Sequence, residues 1–201
     1  MTRLLALALS LLSSAAASAQ DPATSAQPDA FDPGSVTLAP LISCQDTPER
    51  FLALAIALQS EPLTAVSLGW RPLPATNPFM VEYALNTPIE VFGHRSAHIA
   101  FAGSSVLAIL DLPDPRPLAR QLELETGIDT PAKALFGKEV LSEEFIDPDV
   151  GVVFIRSAVL NVSNVDSHPG KTLVGCTYSI DPEEEMPEEE DAPEGAQAES
   201  A

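Results

Sequence analysis

Cys44 and Cys176 constrain this chain more than any other feature. They are its only cysteines, and 132 residues separate them. An even pair in an exported protein reads as a disulfide. A redox pair would instead show the C-x-x-C spacing, which is absent. Closing so long a loop removes chain entropy equivalent to about 4–5 kcal/mol, an upper figure. The bond would tie the segment before the first helix to the last strand, so the fold has to bring the two ends of its body together.

Export is read from the N-terminus. Met1-Thr2-Arg3 supplies one positive charge, Leu4 to Leu12 an apolar stretch, and Ser13 to Ala19 small residues. This is the pattern of a secretory signal, residues 1–19, with Ala17-Ser18-Ala19 as the cleavage motif before Gln20. The stretch is too short for a permanent membrane span, and no second long apolar run follows. The expected mature protein is therefore periplasmic or extracellular, with no stable membrane insertion.

The chain carries 29 acids against 10 bases, a formal charge of −19. Nucleic-acid binding is excluded, because phosphate recognition needs clustered Lys and Arg. The asymmetry sits largely at the ends. From Asp181 to Ala201 there are ten acids and no base, a composition that predicts an extended acidic tail over 181–201. Such a tail suits solvation, or weak capture of cations or a basic protein partner. Residues 20–35, rich in Pro, Ala, Asp and Ser, read as a disordered lead-in. Between them, residues 36–180 hold sixteen acids and nine bases and read as one domain. A body of this length buries enough surface for a real core.

Within the body, Thr47 or Asp46 can cap a helix that Pro48 opens and Glu49 supports against the dipole. Phe51, Leu54, Ala55 and Leu58 repeat at helical spacing, predicting a helix over 48–59. Phe79 to Leu85 and Ile89 to Phe92 read as strands broken at Asn86-Thr87-Pro88. Ala97 to Ala102 and Val106 to Leu110 read as a hairpin about Gly103-Ser104-Ser105. Asp114 caps a second predicted helix running to Glu125, and Thr130-Pro131 starts a short helical turn stopped by Gly137. Strands follow over 139–146, 151–165 and 171–180. The expectation is an α+β domain: an antiparallel sheet of about five to seven strands with two main helices packed on one face.

Motifs for chemistry are sparse. His94-x-x-x-His98 has the spacing of a helical metal pair, but on a strand those residues stand about 13 Å apart. Position 95 is also Arg, which breaks the H-E-x-x-H pattern. Both read as polar residues flanking a turn. His168 falls in another predicted turn, Asp166-Ser167-His168-Pro169-Gly170. Asp147-Pro148-Asp149-Val150-Gly151 lacks the later ligands of a calcium loop. Ser104 and Ser105 lack the second glycine of a nucleophile elbow. Trp70 beside Arg71 offers an aromatic and cationic binding edge, although a single Trp is more often a core anchor. The binding candidates are therefore Trp70, Arg71, His94 and His98, with no cofactor or metal implied. The leading expectation is an exported, non-catalytic binding or scaffolding domain. The alternatives are a hydrolase built from carboxylates and His94 or His98, and an acidic inhibitor of a basic enzyme.

Overall fold

The computed structural model describes residues 31–183. The signal reading of 1–19, most of the lead-in and most of the acidic tail lie outside the described residues. Of the lead-in, Asp32 caps a 3-10 turn at Pro33–Ser35, and Arg50 Nη2 donates to the Ser35 carbonyl at 2.8 Å.

The segment before the cysteine forms a short helix, α1 (Leu38–Ile42), with Leu38, Leu41 and Ile42 buried. The longest helix, α2 (Pro48–Ser60), follows the sequence reading closely. Thr47 Oγ1 accepts from the Arg50 amide at 3.3 Å, and Phe51 and Leu54 face the core. A single turn, α3 (Thr64–Ser67), leads into an eight-stranded sheet.

The strands are β1 (Trp70–Pro72), β2 (Val81–Val91), β3 (His94–Ala102), β4 (Ser105–Leu110), β5 (Glu125–Asp129), β6 (Ala134–Ile146), β7 (Val153–Ser163) and β8 (Thr172–Pro182). Their spatial order is β1-β2-β3-β4-β8-β7-β6-β5, antiparallel throughout. Two meanders thus run inward from opposite edges and meet at a β4–β8 seam. A short helix, α4 (Arg116–Gln121), lies on the connection from β4 to β5.

This architecture corrects the expected α+β domain of five to seven strands with two main helices. Among the described residues only α2 is a long helix. The second predicted helix, 114–125, shrinks to the six residues of α4, because Glu123 turns the chain into the left-handed region at φ 54°. The following residues then pair as β5, where Thr126 and Ile128 favour extended backbone. The predicted helical turn at 130–137 is instead the β5–β6 turn, closed by the Thr130 amide donating to the Lys133 carbonyl, followed by the start of β6, whose Ala134 and Phe136 are buried and Leu135 exposed. Asn86-Thr87-Pro88 does not end its strand. β2 runs through it with a register shift between Ala84 and Ile89, a break in the ladder that accommodates Pro88. The turn after β2 is Phe92–Gly93, with both φ values positive (51° and 79°), as a two-residue type I′ loop requires.

One sheet face meets α1, α2 and α4 in the main core. Phe51 stacks on Tyr178 at 5.3 Å between ring centroids, and Trp70 on Phe101 at 6.3 Å. The predicted disulfide is formed on this face: Cys44 and Cys176 have their Cα atoms 5.2 Å apart. The other face carries a smaller apolar cluster of Met80, Ala100, Leu107, Ile109 and Leu173. Segments 73–80 and 164–171 contribute Met80 and Val165 there, and Asn77 Nδ2 donates to Ser167 Oγ between them at 3.2 Å. Among the described residues, no helix is long and apolar enough to cross a membrane.

Candidate functional site

Side-chain alternation on β2 and β3 builds the site. Tyr83 and Ile99 are opposite each other and face the main core. Their neighbours Glu82 and His98 therefore face the other way. Glu82 is opposite Ala100 and His98 opposite Ala84, so the two are diagonal neighbours within reach of long side chains. His98 Nε2 lies 2.8 Å from Glu82 Oε2.

The third member arrives from the second meander. The β7–β8 connection folds tightly, with the His168 amide donating to the Val165 carbonyl and the Lys171 amide to the His168 carbonyl. That turn lowers His168 onto the sheet, with Nε2 3.2 Å from the same Glu82 Oε2. Three potential donor atoms from Glu82, His98 and His168 lie within 4.8 Å of one another.

Outer partners orient each buried member. Thr76 Oγ1 donates to the second oxygen of Glu82 at 2.9 Å. Ser167 Oγ lies 2.9 Å from His168 Nδ1 and accepts from Asn77. The side chain of Glu82 is 2% exposed and that of His168 7%, whereas His98 keeps 32% and forms the solvent side of the cluster.

Burying a carboxylate penalises its charged form. Burial accordingly pushes the Glu82 carboxyl up, but hydrogen bonds from His168, Thr76 and His98 outweigh it and hold the group below its ordinary value. The acid is thus a buried anion. Its side-chain partners among the described residues are Thr76 and the two imidazoles, since Lys171 pairs with Asp111 and the other ion pairs lie elsewhere.

The remaining candidates are placed apart. Trp70 is 8% exposed and packs on Tyr83 and Phe101 in the main core. Arg71 is exposed on the edge strand β1, opposite Ala84. His94 follows the Phe92–Gly93 turn at the far end of β3. The structure therefore brings His98 into the cluster and leaves Trp70, Arg71 and His94 outside it. Glu82 was not singled out from the sequence, and His168 read only as a turn residue. The one available signal was a lone acid inside the apolar run from Phe79 to Leu85.

The described residues thus form an antiparallel sheet with one buried carboxylate–imidazole centre between its meanders. Compared with known proteins, it matches no family model, no curated protein and no solved structure.

Proposed function

We propose that this protein is an exported binding domain whose binding centre is the Glu82–His98–His168 cluster. The leader pattern of residues 1–19 and the disulfide support export. The observation that carries the binding reading is a fully buried carboxylate oxygen shared by two imidazoles, one of them open to solvent. A buried charged group held by ordered partners is costly to assemble and is a standard mark of a functional centre.

A hydrolytic reading has one specific point in its favour. Ser167 Oγ, His168 and Glu82 form a continuous chain in the order nucleophile, base and acid. Against it, the best-formed clefts among the described residues do not gather the three. One cleft reaches His168 beside Lys171 and Asn164, and another lies on the opposite face between Phe51 and Tyr178. Acyl transfer needs nucleophile, base and oxyanion donors converging in one cavity, whereas a small ligand held by the cluster needs only its three neighbouring donor atoms.

The test is a thermal-shift screen of metal ions, small anions, sugars and peptides on wild type and on His98→Gln. Ligand protection lost in the variant supports the reading. Protection that survives in His98→Gln, or ester hydrolysis abolished by Ser167→Ala, overturns it. Intact mass tests export separately: the mature chain is expected to start at Gln20, and retention of Met1 to Ala19 would remove that part.

A further inference from the structure

We infer that Glu82, His98 and His168 bind one divalent transition-metal ion of the zinc class, with a fourth coordination position open beside His98. This rests on the reading of the cluster as the binding centre and adds the chemistry of its ligand.

The donor set selects the ion. Two imidazole nitrogens and one carboxylate oxygen suit zinc and its borderline neighbours, whereas calcium and magnesium prefer all-oxygen shells. Three protein donors with one position left for water is also the usual form of an open zinc site.

The spacing is compatible. Donors at about 2.0–2.1 Å from a tetrahedral ion stand roughly 3.3 Å from one another. The observed separations on Glu82 Oε2 are 2.8 Å from His98 and 3.2 Å from His168, and all three donor atoms lie within 4.8 Å of one another, so the two imidazoles have to close toward each other by up to about 1.5 Å to hold the ion. In coordinating, each Nε2 gives up its hydrogen, which passes to Nδ1 or to solvent. The carboxylate then meets the metal in place of two N–H donors.

The outer partners fit this exchange. Metal-bound histidines need a hydrogen-bond partner on the other ring nitrogen, and bound carboxylates are themselves held. Ser167 stands at His168 Nδ1, and Thr76 holds the free oxygen of Glu82. A serine hydroxyl both donates and accepts, so Ser167 serves His168 with the proton on either nitrogen. His98, one-third exposed, gives the ion its way in.

Zinc binding to the full-length, disulfide-intact protein decides the matter, measured by calorimetry in excess magnesium. The magnesium occupies the hard carboxylates of residues 181–201 and leaves a nitrogen-bearing site free. One equivalent of zinc is expected to bind at submicromolar Kd. Ligand variants Glu82→Gln and His168→Gln should weaken it at least about 100-fold, and Ser167→Ala about tenfold, the scale of outer-shell losses. Glu139→Gln, exposed on β6, should leave it unchanged. If the buried variants fail to fold, His98→Gln and zinc-edge absorption of wild type, expected to show two imidazoles, decide instead. Absence of stoichiometric binding, or binding unaffected by His98→Gln, overturns the metal assignment. If zinc fails while a non-metal ligand protects wild type but not His98→Gln, the binding centre stands and only the metal falls. If nothing binds there, both fall.

Discussion

The Tyr178 hydroxyl donates a 2.7 Å hydrogen bond to the main-chain carbonyl of Leu41, joining β8 to α1 across 137 residues. Tyr178 is fully buried, and its ring stacks on Phe51 from α2. One side chain thus fixes the first two helices against the last strand. Replacing it by Phe keeps the stack and removes the bond, leaving the carbonyl less well satisfied. Tyr178→Phe is expected to cost about 1–2 kcal/mol in urea denaturation. A loss below a few tenths would show that the bond contributes nothing net.

Burial, and secondarily Asp46, push the Tyr178 phenol above its ordinary 10.0. Burial does the same to Tyr83. A raised folded-state value means that the folded protein holds these protons after the unfolded chain has released them. The associated stability is fully present below pH 10.0 and is lost as pH rises beyond it. Denaturation midpoints should therefore fall as pH rises above about 10, less steeply in Tyr178→Phe. An equal slope in the variant would assign the loss to Tyr83 or to other groups.

Gly175 sits on the seam, opposite Leu107 and next to Cys176. A Cβ there would run into the Val106 carbonyl oxygen and lie 2.8 Å from the Leu107 Cα. Both are backbone atoms of a central strand and have no room to withdraw. Gly175→Ala is expected to cost more than about 3 kcal/mol or to prevent folding. A soluble variant with an unchanged thermal midpoint would contradict so close an approach of β4 and β8.

The disulfide closes a loop of 132 residues. Cys44→Ser with Cys176→Ser is expected to lower stability by about 2–5 kcal/mol. Cys44 also adopts φ 57°, a left-handed conformation that costs an ordinary side chain about 1–2 kcal/mol. In the Cys176→Ser background, Cys44→Gly should therefore be more stable than Cys44→Ser. The reverse order would show that the α1–α2 junction relaxes once the bond is gone.

Arg116 holds the start of α4 to β5. It donates to Asp129 at 2.8 Å, to Asp114 at 3.0 Å and to the Thr130 carbonyl at 2.6 Å. These contacts are exposed, so their effect should be local rather than global. Arg116→Ala is expected to speed amide exchange within Glu125–Asp129 while β7 and β8 stay protected. Unchanged exchange in β5 would show that backbone pairing with β6 suffices.

Local signals were mostly legible in the sequence, and of the long-range contacts the Cys44–Cys176 bond was, because it follows from residue type alone. The start of α2 announced itself because Thr47, Pro48 and Glu49 act within one turn of the helix they open. The β3–β4 hairpin was legible from Gly103-Ser104 for the same reason. β1 and β5 escaped because edge strands of three and five residues need no apolar run. The site escaped for a different reason. Glu82 and His168 stand 86 residues apart and meet only because β4 pairs with β8, a choice that no local pattern encodes.

The seam also has a consequence for synthesis. A ribosome delivers β4 long before β8, so the inner edge of the first meander leaves the exit tunnel without its partner. That edge is Val106-Leu107-Ala108-Ile109-Leu110, entirely apolar, and it waits while more than sixty further residues are made. Unpaired apolar edges recruit one another. The nascent chain is therefore at greatest risk of self-association in the interval between Leu110 and Thr172, and a translational pause placed there should raise aggregation more than one placed after Pro182.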